Sequence, residues 1–471
     1  MIARGATFTS QAVADATAGT LTGRPRRSLD GVSTDTREAL EGRLFVALSG
    51  PNFDAHNFLD QAIAKGASAL LVSKIPKGLP EGNYDVIRVK DVLTALGDLG
   101  RAHRRRWNGP VFALTGSNGK TTTKEMAAAI LGVSRSVLKT EGNLNNLIGV
   151  PMTLLGLEPH HTAAVVEMGM NRLGEIARYT EIAEPNVGVV LNVGPAHIGE
   201  LGSIQNIAQA KGELYHGLPN HAMHVVNADD PLVLMVAKAA KPTSRRTRTF
   251  GRAPHADVCI LASEALKEGG QRIRLRVDQK EIEIRLPLPG AHNADNAAAA
   301  VAMVTAHPDI DVTAEDITTG LEGVEVVGGR MRSVDIGSYL VVDDSYNANS
   351  ASMQAAIETL ARQAVQQQRR LVAVLGEMRE LGEFSDSEHR KVGHVLVRQG
   401  AAVLASFGPQ AGVMAAAAAE GGVTAKHEDE DVDALFAWLT TQLKDGDLIL
   451  VKGSRGIRME QFIDRLKGQV G

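Results

Sequence analysis

Thr115-Gly116-Ser117-Asn118-Gly119-Lys120-Thr121 decides how this chain is read, because it has the make-up of a phosphate cradle. The apolar run Val111-Phe112-Ala113-Leu114 before it has strand character, and Thr122 through Leu131 after it is Ala-rich and free of Pro, as a helix should be. A strand, a Gly-bearing turn and a helix start bring several backbone N–H groups and a positive helix end to one anion. In such a cradle Lys120 reaches the β- and γ-phosphates of a nucleotide, and the Thr121 hydroxyl can ligate Mg²⁺. The stretch departs from the usual phosphate loop at Leu114, where a first glycine would stand. The plain alternative is a Gly-Asn turn joining a strand to a helix. The Lys-Thr pair directly after the second glycine favours nucleotide binding.

At 471 residues the chain exceeds what one hydrophobic core organises, so about two to four domains are expected. Hydrophobic residues at 44% and charged residues at 22% are ordinary for a globular protein. A formal net charge of -4 supplies no basic field for nucleic acid. The one cysteine, Cys259, cannot close an intramolecular disulfide and suits a reducing compartment. Met1-Ile2-Ala3-Arg4-Gly5 lacks the apolar core of a signal peptide, and no apolar stretch is long enough to span a bilayer. A cytoplasmic enzyme is expected, and, with no assembly helix in view, a monomer.

Three α/β blocks follow from the pattern: residues 1–108, 109–328 and 329–471. In the first, Leu44–Leu48, Ala69–Val72 and Val86–Val89 read as strands, and Ser10 as the cap of a short helix ending near Gly19. Asp91 caps a helix with Val92, Ala95, Leu96 and Leu99 on its apolar face, and its final His103-Arg104-Arg105-Arg106 reads as a solvated, dipole-favoured end. In the second block, around the phosphate loop, Ala164–Val166 and Val187–Leu191 are near-continuous apolar runs, as buried parallel strands are. Further on, Ile273, Leu275 and Val277, then Ile282, Ile284 and Leu286, alternate with polar residues about Asp278-Gln279-Lys280, an antiparallel hairpin pattern. Past a hinge at Gly328-Gly329, the strand-like Leu340–Val342, Leu371–Val374, Val403–Ala405 and Leu448–Val451 alternate with helical segments, which suggests a Rossmann-like open sheet.

Glu167 ends a buried-strand pattern, so it should stand at the carboxyl edge of the sheet, where open α/β sheets bind ligands and a carboxylate can hold Mg²⁺. The plain alternative is a solvated loop acid, against which the apolar run before it argues. His197, after the turn Gly194-Pro195, would reach the same edge, although a lone histidine is as often structural. Lys211, on a helix beginning near Ser203, is by itself an ordinary surface charge or, if buried near metal, a lysine able to take up CO₂ as a carbamate.

The phosphate loop, Glu167-Met168-Gly169, Asn192-Val193-Gly194-Pro195-Ala196-His197 and Ala210-Lys211-Gly212-Glu213 stand in the order seen in Mur ligases. These are ATP-dependent enzymes that add amino acids to the peptidoglycan precursor, and the sequence resembles them over nearly its whole length. Four stretches are similar to the branch that takes D-alanyl-D-alanine and a UDP-N-acetylmuramoyl-tripeptide: Glu141–Asn146, Asp343–Asn349, Leu375–Gly382 and Val451–Gly456. Ala55, Ser350 and Glu377 depart from the family pattern, which bears on loop shape and contact strength.

The resemblance implies that Thr115 through Thr122, His292, Asn293, Asn296, Arg330 and Asp344 serve ATP, with His292-Asn293 otherwise a helix cap. It implies Mg²⁺ on Thr121, Glu167, His197 and a carbamylated Lys211. Ser33, Asp35, Thr36 and Arg37, with Asn52–His56, would contact the uracil nucleotide; Asn143, Asn146, Tyr346, Asn347 and Asn349 would serve the substrates. The tripeptide would end in meso-diaminopimelate or lysine. Competing readings are a ligase of an earlier step or of folylpolyglutamate synthesis, against which Asp343–Asn349 argues, and a nucleotide-dependent switch, which would hydrolyse ATP slowly without a dipeptide.

Overall fold

Strands buried on both faces need apolar residues at every position, and the longest such runs in this chain form the centres of three sheets. The computed structural model describes residues 2–195, 198–240, 246–266, 269–325 and 328–470.

The first sheet has six strands, in the order Ile2–Thr9, Ser28–Ser33, Leu44–Val46, Ala69–Val72, Asp85–Arg88 and Thr20–Thr22. Its inner pairings are parallel and both edge strands run antiparallel. The helix Ser10–Ala16 is capped by Thr9, whose hydroxyl accepts from Ala12 N at 3.1 Å, rather than by the expected Ser10. The fully buried Ser10 hydroxyl is committed elsewhere, donating to Asp85 Oδ2 at 2.6 Å. Asp91 does cap Val92–Arg106, accepting from Thr94 N at 2.6 Å.

That helix corrects another expectation. Its end is not simply solvated: His103 and Arg104 are both 7% exposed. His103 Nε2 meets Leu157 O at 2.8 Å, and Arg104 donates to Ala183 O, Trp107 O, Glu184 O and Asn186 Oδ1. A guanidinium carries five donors, and here two carbonyls ending the Glu175–Ala183 helix, with Trp107 O and Asn186 Oδ1, accept them in place of water. The run fastens the first sheet's helix to the second unit.

The second sheet has nine strands, running Val137–Lys139, Ala163–Glu167, Val111–Thr115, Val187–Val190, Met223–Asn227, Thr247–Gly251, Val258–Ala265, Gln271–Val277 and Lys280–Leu286. All neighbours are parallel up to Val258–Ala265, and the last two strands form the expected antiparallel hairpin. Val277 pairs with Lys280, leaving Asp278-Gln279 as the turn, with Asp278 at φ +54°. Helices Lys120–Gly132 and Ala291–Val304 cover one face; Glu175–Ala183, Ile204–Gly217 and Pro231–Ala239 cover the other. The alanines of Ala291–Val304 are buried almost throughout, which lets that helix lie close against the phosphate-loop helix.

The third sheet runs Arg332–Ile336, Tyr339–Asp344, Leu448–Lys452, Leu371–Gly376, Val403–Phe407 and Thr424–Glu428. Only the first pair is antiparallel. Apolar clusters fill both faces. The carboxyl ends of its strands at Asp344 and Lys452 share one cleft with Glu167 and the loop after Thr115.

Candidate active site

The phosphate loop leaves its strand at Thr115 and enters the helix at Lys120. Gly119 has φ +81°, and a Cβ there would fall 2.1 Å from Asn296 Oδ1, so only glycine fits. Ser117 exchanges hydrogen bonds with Gly194, its Oγ donating to the carbonyl at 2.9 Å and accepting from the N–H at 2.8 Å. Asn192 clamps the next residue: its Oδ1 accepts from Asn118 N at 2.9 Å and its Nδ2 donates to Asn118 O at 3.1 Å. With the loop backbone held this way, Lys120 Nζ folds onto Gly116 O at 2.7 Å. Desolvation in the cleft pushes the Lys120 ammonium below its usual pKa, Glu167 opposing and Arg330 adding to the shift.

Thr121 joins three parts of the chain. Its hydroxyl donates to Glu167 Oε2 at 2.9 Å and accepts from Arg330 Nη2 at 2.9 Å. Glu167 is only 2% exposed, and its other oxygen accepts from Asn145 Nδ2 at 2.8 Å. Arg330 lies 4.0 Å over the Tyr346 ring, while its buried Nε has no partner among the described residues. Met331, with φ +54°, donates its N–H to Asp344 Oδ1 at 3.1 Å. Lys452, 3% exposed, closes this corner by donating to Asp344 Oδ2 at 2.6 Å and to Asn347 O at 2.9 Å.

His292 and Asn293 are not a helix cap. The helix starts at Ala291 after Gly290, and Asn293 Nδ2 donates to Pro289 O at 2.7 Å while its Oδ1 accepts from Asn296 Nδ2 at 3.1 Å. A glycine at φ +96° makes the sharp entry without a side-chain cap, freeing the asparagines to line the cleft. Burial holds His292 below its usual pKa, partly opposed by Asp344.

Ser117 to Thr122, Asn143, Asn146, Glu167, His292, Asn293, Asn296, Arg330, Asp344, Tyr346, Asn347 and Asn349 all line one cleft of about 860 Å³. Its walls come from the second and third sheets. Residues 114–304 match the family described as the Mur ligase middle domain, and residues 329–455 the Mur ligase, glutamate ligase domain. The UDP-N-acetylmuramoyl-tripeptide–D-alanyl-D-alanine ligase of Escherichia coli (strain K12) is 39% identical over 93% of this chain and 94% of its own length. The chain belongs to the Mur ligase family.

A crystal structure of MurF from Acinetobacter baumannii superposes with a TM-score of 0.89 at 35% identity, covering 99% of this chain and 100% of that one. MurF ligase from Thermotoga maritima in complex with ADP superposes at 0.80 with 28% identity, covering 93% and 97%.

Within this Mur ligase frame, not every expected residue reaches the cleft. His197 lies outside the described residues. Lys211, on the Ile204–Gly217 helix that Ser203 caps, is 1% exposed and does not line it. Desolvation, with Lys120 adding, pushes its amine well below the usual lysine value. Ser33 ends a strand of the first sheet and Asp35, Thr36 and Arg37 follow it, and all four stand apart from the cleft. There Arg37 pairs with Asp35 at 2.6 Å and holds its carboxyl well below the usual range. Ser33 Oγ accepts from Asp35 N at 3.1 Å, and Thr36 Oγ1 donates to Gln61 Oε1 at 3.4 Å.

Asn145, Asn192 and Lys452 stand in stretches that carry the family resemblance, but sequence reasoning assigns them no role of their own. Lys452 had a signal, since it ends an apolar strand just as Glu167 does.

Proposed function

We propose that this protein joins D-alanyl-D-alanine to UDP-N-acetylmuramoyl-tripeptide at the expense of ATP, giving the pentapeptide precursor of peptidoglycan. The observation that carries the reading is the shared cleft, in which a phosphate loop on one sheet faces the Asp344–Asn349 loop of another. An ATP-dependent ligase must hold a nucleotide and two further substrates together, and a cleft between two sheet edges can do so.

The tripeptide carboxylate attacks the γ-phosphorus of ATP, whose bond to the bridging oxygen breaks so that ADP leaves, and the carboxylate becomes an acyl phosphate. The dipeptide amine, in its deprotonated form, then attacks that carbonyl; the C–O bond to phosphate breaks, phosphate leaves, and the nitrogen gives up a proton as the amide forms. Lys120 and the N–H groups from Gly119 to Thr121 hold the transferring phosphates and neutralise their charge, since those of Ser117 and Asn118 are donated to Asn192. Asn293, Asn296 and His292 take the adenine side, and the unpartnered Nε of Arg330 gives it a donor to spare for the nucleotide. Residues 329–471 bring the dipeptide to Tyr346 and Asn347, and residues 1–108 hold the uracil nucleotide through Ser33, Asp35, Thr36 and Arg37. Asn143 and Asn146, on the second sheet's side of the cleft, meet the tripeptide.

The donor set fits Mg²⁺. The Thr121 hydroxyl and the Glu167 carboxylate are 2.9 Å apart, and hard oxygen donors are what this ion takes. His197 and a carbamate on Lys211 would complete the set, and the ion would supply charge neutralisation. Lys211 is suited to carbamylation because its buried amine is held toward the neutral, nucleophilic form. Among the described residues, no helix is long and apolar enough to cross a membrane. We read the protein as a cytoplasmic monomer without nucleic-acid partners.

A phosphate-release assay tests the reading. Phosphate should appear in step with pentapeptide product, and only when ATP, tripeptide and dipeptide are all present. Equal release without the dipeptide would point to the nucleotide-dependent switch.

A further inference from the structure

Two asparagines, one residue apart, stand on the loop that faces the phosphate loop, and their side chains are used differently. Asn347 is exposed, and among the described residues its Oδ1 accepts only from the adjacent Ala348 N at 2.9 Å, leaving its amide N–H groups to the cleft. Asn349 is spent on the protein itself. Its Oδ1 caps the Ser350–Gln366 helix, accepting from Ser352 N at 2.9 Å, while its backbone N–H donates to Ser352 Oγ at 3.0 Å. Its remaining group, Nδ2, crosses to the phosphate loop and donates to Asn118 Oδ1 at 2.7 Å.

Asn118 is fastened on its other side by the two backbone hydrogen bonds to Asn192, so it cannot shift without moving the loop. A 17-residue helix and the loop preceding it are thereby hung on the residue two places before Lys120. Both groups are amides, so the bond carries no charge and does not compete with Lys120 for the phosphates.

We propose that Asn349 is a positioning residue: through Asn118 it sets the dipeptide-presenting loop, Asn347 included, at a fixed distance from the phosphates. The assignment rests on the ligase reading above. Asn349 then contributes to the rate of amide formation and not to dipeptide affinity, which falls to Asn347.

Steady-state kinetics of the full-length protein test this with Asn349→Ser, Asn118→Ala and the double variant. Serine still caps the helix but is too short to reach Asn118, and Asn118→Ala leaves the cap untouched. Each single change should lower kcat on the order of tenfold, the worth of one such hydrogen bond, with the KM for D-alanyl-D-alanine within about twofold of wild type. The double variant should fall no more than about twofold further, because both changes remove the same contact. Independent, multiplying losses would overturn the proposal. So would a raised dipeptide KM at unchanged kcat, which would return Asn349 to the dipeptide. Failure of the ligase reading is distinguishable, because the wild-type protein itself would then make no pentapeptide.

Discussion

Lys211 and His224 are both buried bases held toward neutrality, yet the consequences differ. A neutral lysine amine is a nucleophile for CO₂, so under the proposed Mg²⁺ arrangement Lys211→Ala should lose most activity, and added short carboxylates such as acetate should restore part of it. Full activity of the variant with no added acid would make Lys211 an ordinary structural residue. His224 is not among the residues lining the cleft: it stacks on Tyr215 at 5.4 Å, its Nδ1 has no partner among the described residues, and burial brings its pKa to about 4. In the unfolded chain the same ring takes up a proton near pH 6.5. Between those values the unfolded state binds more protons, so stability falls as pH falls. At pH 5 the loss from this residue is about 2 kcal/mol, 1.5 units below the unfolded value. His224→Phe keeps the stacking and should show a smaller drop in melting temperature between pH 7.5 and 5 than wild type. Equal drops would assign the acid sensitivity to other groups.

Helix ends and strand edges are where sequence and structure part company. Arg104 sits in a four-residue basic run whose composition suits a solvated helix end equally well. Only the presence of the Ala183 and Glu184 carbonyls and of Asn186 beside it makes it a buried clasp. Asn186 Oδ1 also accepts from Val111 N at 2.9 Å, at the start of the strand that feeds the phosphate loop. Arg104→Ala should therefore destabilise by about 3 kcal/mol, since it leaves several buried acceptors unsatisfied, read as a lowered urea midpoint. A change under about 0.5 kcal/mol would mean that water replaces the guanidinium. The neighbouring Arg105, 57% exposed and paired with Glu184, should matter far less.

The same logic separates what could be read from the chain. Val111–Thr115, Ala163–Glu167, Leu371–Gly376 and Leu448–Lys452 are buried at every position and were legible as apolar runs. Thr247–Gly251 and Thr424–Glu428 are largely half-buried and Arg332–Ile336 mostly exposed; all three are polar and loop-like in composition, and only their strand partners define them. Of the site, Lys120, Thr121 and Glu167 were legible through spacing and strand position. Asn145 and Asn192 were not, because one asparagine among several is distinguished only by what it meets in space.

At the scale of the whole molecule, the second and third sheets touch through Asn118 and Asn349, through Thr121 and Arg330, and through a backbone contact beside the cleft. In that third contact Gly199 N donates to Glu380 O at 3.1 Å. A Cβ on Gly199 would lie 2.7 Å from Gly382 N and 2.8 Å from Glu380 O, so the two backbones approach as closely as glycine allows. Gly199 sits in the short helix Ile198–Leu201 without a positive φ, where alanine is locally favourable. Gly199→Ala therefore leaves the second unit unstrained and obstructs only the docked arrangement. Forcing the extra carbon between the backbones costs about 1–3 kcal/mol, so kcat should fall roughly tenfold while the melting temperature holds or rises. Affinity for the UDP precursor should stay at the wild-type value, because the first sheet is fastened to the second through Arg104 and not through the third. Small-angle scattering with a non-hydrolysable ATP analogue should give a larger radius of gyration for the variant than for wild type. An unchanged radius with unchanged kcat would show that the third unit completes the cleft without this contact, and would leave Asn349 and Arg330 to hold it alone.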